Sequence, residues 1–317
     1  MFKKIIYNKF FIFFLSFFFI LGCGDNNSES SKNINSSQNN ADVEYSVSFS
    51  DQMGDKNFNA RPTKVASFSP EITEIIYELG HGGKLVAVDS NSNYPSSTDN
   101  LPKLGFMNIN TESIVQHEPD LIILTAGFED IAKRLESLNY QVAFIDAPKD
   151  LNGLWNNISI LGKIFESNDV AENLISSLQE KFDNAVNLVS NIKEQDKKTV
   201  FLEIDPTLYT VSSNSLIGYL LDLANVINIA KDIEGGYPQV SLEFIIDKNP
   251  SIILLNDTQY GNSIQDTLNR DGWSNIEAIK SKKVFALESD WVSRAGPRTI
   301  KGLEQIIDLV YGVKILE

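Results

Sequence analysis

One cysteine and two histidines in 317 residues are too few for several kinds of chemistry. A lone cysteine closes no intramolecular disulfide. Cys23, His81 and His117 fall short of the N and S ligand set of a dedicated zinc site. Basic residues are scarce as well: 27 Lys and Arg stand against 42 Asp and Glu, a formal net charge of −15. Nucleic-acid binding needs clustered cations to neutralise phosphate, so this balance argues against that partner. No G-x-G-x-x-G follows a predicted strand, and P-loop, G-x-S-x-G and H-E-x-x-H motifs are missing. Ser69 in "SFSPE" lacks the glycines of a nucleophile elbow, and no candidate nucleophile comes with an identifiable base. An α/β enzyme is therefore the remote alternative. No catalytic residue and no metal ligand is assigned.

An apolar run long enough for a comfortable membrane span is also missing. "FFIFFLSFFFILG" holds roughly a dozen apolar residues, where a span needs about 20. It follows Lys3, Lys4 and Lys9 and ends on Gly22, just before Cys23. A basic start, a short apolar core and a small residue before a processing point describe a secretory signal over residues 1–22. An exported protein keeping one cysteine needs another use for it, and lipidation of Cys23 in "ILGC" is the best candidate. Losing Lys3, Lys4 and Lys9 from 27 basic residues leaves 24 against 42 acids. Residues 23–42, with "GDNNSESSKNINSSQNN", are polar and aperiodic and read as a disordered tether.

The remaining chain is long enough for two domains. "VEYSVSFS" alternates and "DQMGDKNFN" turns, which predicts an opening hairpin. Strand and helix patterns then alternate through residue 150, as a mostly parallel sheet covered on both faces requires. Residues 151–198 are helical. One apolar stripe, Val170, Leu174, Leu178, Phe182, Ala185, Val189 and Ile192, runs in steps of three and four from Asn168 to about Glu194 and predicts a single long helix. Alternation resumes over 199–317. The expected fold is α/β: two Rossmann-like lobes, 43–150 and 199–317, joined by one long α-helix.

A repeated pattern supports that duplication. "ESIVQHEPDLIIL" begins at Glu112 and "EFIIDKNPSIILL" at Glu243, 131 positions later, with Pro119 matching Pro250. Each copy reads as a short helix, stopped by proline, running into a strand buried on both faces. Glu112 and Glu243 then stand at matching helix starts, where the helix dipole favours a carboxylate in any protein.

Taken together, "KVASFSPEITEIIYELG", "LVAVDSNSNYP", "LPKLGFMNINTESIVQHEPDLIIL", "PQVSLEFIIDKNPSIIL" and "SDWVSRAGPR" resemble the substrate-binding lipoproteins of ABC importers for cobalamin and iron complexes. The similarity covers nearly everything from Val43 onward and is greatest to the cobalamin-binding branch. It implies a ligand cleft between helix-linked lobes and one exposed glutamate per lobe, Glu112 and Glu243, docking on arginines of the permease. Two carboxylates at fixed separation suit that role through charge complementarity.

A corrinoid has apolar faces and peripheral amides, so its site needs aromatic surface and a few placed polar groups. Strand-to-helix loops offer Ser69, Pro70, Asn91, Tyr94, Phe106, Tyr237, Asp290, Trp291 and Arg294. Phe106 and Tyr237 stand where the cobalamin binders typically carry tryptophan, and Asn91 where a tyrosine is expected. The alternative cargo is a ferric siderophore or haem. Anionic siderophores favour several basic cleft residues, and Arg294 is the main candidate here. Haem wants an axial His or Tyr, and neither histidine falls in a cleft loop. The expected partners are a permease dimer with its ATPase, a corrinoid or iron-chelate ligand and, through the lipid anchor, a membrane. The ligand is cargo rather than a cofactor. The expected protein is a monomer, exported and lipid-anchored at the outer face of the cytoplasmic membrane or in the periplasm.

Overall fold

The computed structural model describes residues 45–105 and 109–314. The expected signal, Cys23, the tether and Phe106 lie outside the described residues. Within them, no helix is long and apolar enough to cross a membrane.

The chain opens with an antiparallel hairpin, β1 (Val47–Asp51) and β2 (Gly54–Phe58). Its turn is closed by Gly54 at φ +117°, a conformation open to glycine and strained for other residues. Asp51 ties the hairpin to the first lobe by accepting from the Phe144 backbone N–H at 2.8 Å.

The first lobe contains β3 (Val65–Ser67), α1 (Pro70–Glu78), β4 (Leu85–Asp89), β5 (Lys103–Leu104), α2 (Thr111–Val115), β6 (Leu121–Leu124), α3 (Glu129–Ser137) and β7 (Gln141–Phe144). The five strands are all parallel, in the order β5-β4-β3-β6-β7. Alternate residues of the buried strands serve two faces. Val65, Leu121 and Ile123 enter the largest hydrophobic core, while Ala66, Ile122 and Leu124 enter a smaller one under α2 and α3. That is why these strands read as unbroken apolar runs.

Two helices follow, α4 (Leu151–Ile164) and α5 (Asn168–Val189). The second lobe contains β8 (Thr199–Glu203), α6 (Leu216–Leu223), β9 (Ile227–Asn228), α7 (Leu242–Lys248), β10 (Ile252–Leu255), α8 (Ile264–Leu268), α9 (Glu277–Lys280), β11 (Val284–Ala286), α10 (Ser289–Ser293) and α11 (Thr299–Tyr311). Its parallel sheet has the order β11-β10-β8-β9. Val200, Leu202, Ile252 and Leu254 join the same large core as the first lobe, and Phe201, Ile253 and Leu255 pack with Trp273 on the other face.

The long helix α5 has 22 residues, about 33 Å at 1.5 Å per residue. It is shorter than the sequence pattern suggests, and its inner stripe begins differently. Val170 is 45 % exposed, and Ala171 takes the inward place. The reason is the close approach of α4: a Cβ on Gly162 would lie 2.6 Å from the Ala171 Cβ, so only small residues fit. At the far end the Asn225 side chain donates to the Val189 carbonyl at 2.8 Å, satisfying a terminal acceptor where the helix stops. Leu178, Phe182, Ala185 and Val189 pack into the core that both lobes share.

Candidate ligand-binding cleft

In each sheet the strand order reverses beside the first strand: β3 lies between β4 and β6, and β8 between β9 and β10. Ligands of open parallel sheets bind outside the carboxyl ends of strands at such points. Here a cavity of about 540 Å³ is bounded from both lobes by residues at those ends. Pro70 and Glu71 follow β3, and Ser90, Asn91 and Asn93 follow β4. From the second lobe come Ile204 after β8, then Asn256, Gln259 and Tyr260 after β10, and Ser289, Asp290, Ser293 and Arg294 after β11.

One side of the cavity is bolted across the lobes. Arg294 pairs with Asp290 at 2.7 Å and donates to the Asn93 Oδ1 at 2.7 Å. The Asn93 amide donates in turn to Asp290 at 3.3 Å. Glu74 of α1, 2 % exposed, receives Arg298 through two oxygens at 2.8 and 2.5 Å and lies 3.7 Å from Arg294. The Arg298 guanidinium also lies over the Tyr94 ring, 4.1 Å from its centroid. Asp290 and Arg294 therefore do form a pair, and it sits within an interlobe network.

The acids on the first lobe's wall are held differently. Asp89 is buried, and its carboxylate accepts from the Ser92 hydroxyl and the Asn91 backbone N–H. Burial nonetheless keeps its pKa above the usual carboxylate range, against the pull of those donors. Glu71 is 7 % exposed, and burial likewise raises its pKa. The neighbouring Ser69 hydroxyl opposes that rise, yet it is buried without a partner at hydrogen-bond geometry. The acids Asp89 and Glu74 push the pKa of Glu71 further upward.

Of the residues chosen from sequence, Pro70, Asn91, Asp290 and Arg294 come together on the cavity wall. Ser69 occupies the N-cap position of α1, off the cavity wall, without a side-chain capping hydrogen bond. Tyr94 is 39 % exposed beside Arg298, and Tyr237 is 53 % exposed on a loop outside the wall. Trp291 turns away from the cavity, with Lys301 of α11 lying 5.7 Å from its ring centroid. Its helix packs so closely on α11 that a Cβ on Gly302 would lie 2.7 Å from the Trp291 carbonyl. Glu71, Asn93, Asn256 and Tyr260 went unselected. Their signal was position, since each is one or a few residues past a strand end already recognised.

The repeated glutamates occupy equivalent places. Each is the second residue of its helix, α2 or α7, behind a capped start. Asn110 accepts from the Ser113 N–H at 2.9 Å, and Ser241 accepts from the Phe244 N–H at 3.2 Å. Each segment then leaves through a left-handed residue before its proline, Glu118 at φ 50° and Asn249 at φ 44°. The pre-proline residue thus takes the left-handed region rather than the extended one that proline ordinarily favours. Both glutamates are exposed, and Glu112 meets Arg134 only at 3.5 Å. The helix-start N–H of Glu243 itself and, less strongly, the Ser241 hydroxyl hold that carboxyl below its usual range.

Two lobes, a helix linking them and a cleft at the switch points of both sheets define a solute-binding protein. The chain belongs to the periplasmic binding protein family, whose model matches residues 65–291. It is a binding protein and not an enzyme, so what its cleft holds is cargo. It is 28 % identical to an uncharacterized ABC transporter substrate-binding lipoprotein, YvrC, of Bacillus subtilis, over 81 % of this chain and 82 % of that one. It is 29 % identical to a vitamin B12-binding protein of Vibrio cholerae, over 77 % of this chain and 87 % of that one. The crystal structure of the periplasmic vitamin B12 binding protein BtuF of Vibrio cholerae superposes with a TM-score of 0.67 at 26 % identity, covering 78 % of this chain and 96 % of that one. A possible iron-binding (periplasmic solute-binding) protein of Staphylococcus epidermidis superposes at 0.70 and 26 % identity, covering 80 % and 100 %.

Proposed function

We propose that the protein captures cobalamin or a related corrinoid outside the cytoplasm and delivers it to the permease of an ABC importer, whose separate ATPase supplies the energy. The observation that carries this reading is the cavity walled by the strand ends of both lobes, because a ligand there touches both halves at once. The similarity to vitamin B12-binding proteins favours a corrinoid as cargo.

Glu112 and Glu243 serve as the docking points for the permease in this reading. Their support is equivalent placement, firm helix caps and exposure, which together present two carboxylates at a fixed spacing. Lipidated Cys23 tethers a monomeric body to the membrane. The likeness to a substrate-binding lipoprotein supports the anchor.

Titration calorimetry of the full chain in detergent with cyanocobalamin tests the cargo. Saturable binding at one site per chain is the expected result, and no detectable heat or shift overturns it. Metabolic labelling with a fatty acid tests the anchor, which requires that Cys23→Ala abolish incorporation.

A further inference from the structure

The charges around the cavity can be accounted for one by one. Among its described lining residues Arg294 is the only cation, and Asp290, Asn93 and Glu74 already engage it. Arg298, close behind, is held by both oxygens of Glu74. Phe106, Met107 and Asn108, which fall between described segments, bring no further charge. Among the described residues, no unspent positive charge therefore lines the cavity. Glu71 is different: it borders the cavity, and the charged groups that bear on it most are the acids Asp89 and Glu74. Across the cleft Asn256 is 6 % exposed and borders the same cavity. Its amide nitrogen donates to the Ser293 hydroxyl at 3.0 Å, while its Oδ1 is buried without a partner. A buried acceptor left unmatched costs free energy that a ligand donor recovers.

We propose that the cleft takes uncharged or cationic ligands that present N–H or O–H donors to Glu71 and Asn256, and turns anions away. This deepens the binding reading above and rests on it. A corrinoid rim of primary amides meets the requirement. The carboxylates of haem and the anionic ferric catecholates do not, because they meet acceptors and acids with no unpaired cation to offset them. Glu71 and Asn256 are thus the specificity-determining residues.

The test compares cyanocobalamin with its monocarboxylates, in which one peripheral amide has been hydrolysed, by calorimetry on the full chain in detergent. Each isomer exchanges a donor for an anion at a single place. At least one isomer is expected to bind about tenfold more weakly or worse. In Glu71→Gln that penalty should shrink to about threefold or less, because the acid facing the added carboxylate is gone. Isomers that all bind within about threefold of the parent overturn the proposal, and so does a penalty that Glu71→Gln leaves unchanged. The wild-type series decides the matter even if the variant folds poorly. If cyanocobalamin itself does not bind, the corrinoid reading falls alone. The charge rule is then read from a cationic ferric trihydroxamate against an anionic ferric tricatecholate. Preference for the cation sustains it, whereas preference for the anion, or binding of neither, overturns it.

Discussion

Glu74 of the first lobe and Arg298 of the second meet in a two-pronged ion pair, 2.8 and 2.5 Å long, with the acid 2 % and the base 13 % exposed. The residues are 224 positions apart, yet this contact and the Arg294–Asn93–Asp290 set beside it hold the two lobes together at one edge of the cleft. A clasp of this kind restrains how far the lobes part.

Removing one partner of a buried pair leaves the other charge uncompensated. Glu74→Ala should therefore destabilise the protein by about 3 kcal/mol or more, since it strands Arg298 and weakens the hold on Arg294. Denaturant unfolding measures this. A double-mutant cycle with Arg298→Met should recover part of the loss, and strict additivity of the two substitutions would show that they do not interact in solution.

Stability should depend on pH through the buried acids. Glu71, Asp89, Glu203 and Asp257 are all shifted upward, with burial the largest cause in each case. A carboxyl with a raised folded-state pKa binds its proton more tightly in the native protein than in the unfolded chain. Its contribution is thus most favourable below the ordinary carboxylate range and declines as pH rises through the raised value. The melting temperature should fall as pH rises from the ordinary carboxylate range, about 4, through these raised values. Glu71→Gln should be more stable than wild type at the upper end and should flatten the slope. A melting curve that rises across this window, in wild type and variant alike, contradicts the assignment.

The lobes, the long helix and the equivalence of the two glutamate segments were legible in the sequence, because each depends on local periodicity or on a repeat. "LIIL" over 121–124 and "IILL" over 252–255, short runs after a proline turn, suit strands buried on both faces, and they are strands. The composition of the cavity was not legible. The Glu74–Arg298 pair spans 224 positions and leaves no local pattern, and the Trp291 ring lies near Lys301 of α11 and off the cavity wall. An aromatic cleft was the expectation, whereas Tyr260 is the only ring among the described lining residues.

That difference yields a paired prediction. Tyr260 is 81 % exposed and borders the cavity, where an entering ligand would cover its ring. Tyr260→Ala should lower ligand affinity by about 1–3 kcal/mol through lost apolar burial. Trp291→Ala, whose ring lies against Lys301 instead, should change affinity less. Calorimetry on both variants with cyanocobalamin decides between them, and a larger loss for Trp291→Ala would mean that the cleft is lined differently when loaded.

The docking assignment separates binding from delivery. Glu112 and Glu243 are exposed helix-start acids away from the cavity wall, so replacing both by Ala should leave the fold intact and ligand affinity nearly unchanged. A charge-assisted hydrogen bond is worth about 1.5–3 kcal/mol, so each glutamate lost should weaken the complex with the permease roughly tenfold or more. Uptake into cells carrying the double variant should therefore collapse while the purified chain still binds its cargo. On that assignment the contact is charge-based, so the wild-type complex should also weaken as salt is raised. Each single variant should lose part of the effect, since the two lobes present equivalent acids to a partner that engages both. Normal uptake by the double variant would remove these residues from the interface, however alike their two helices are.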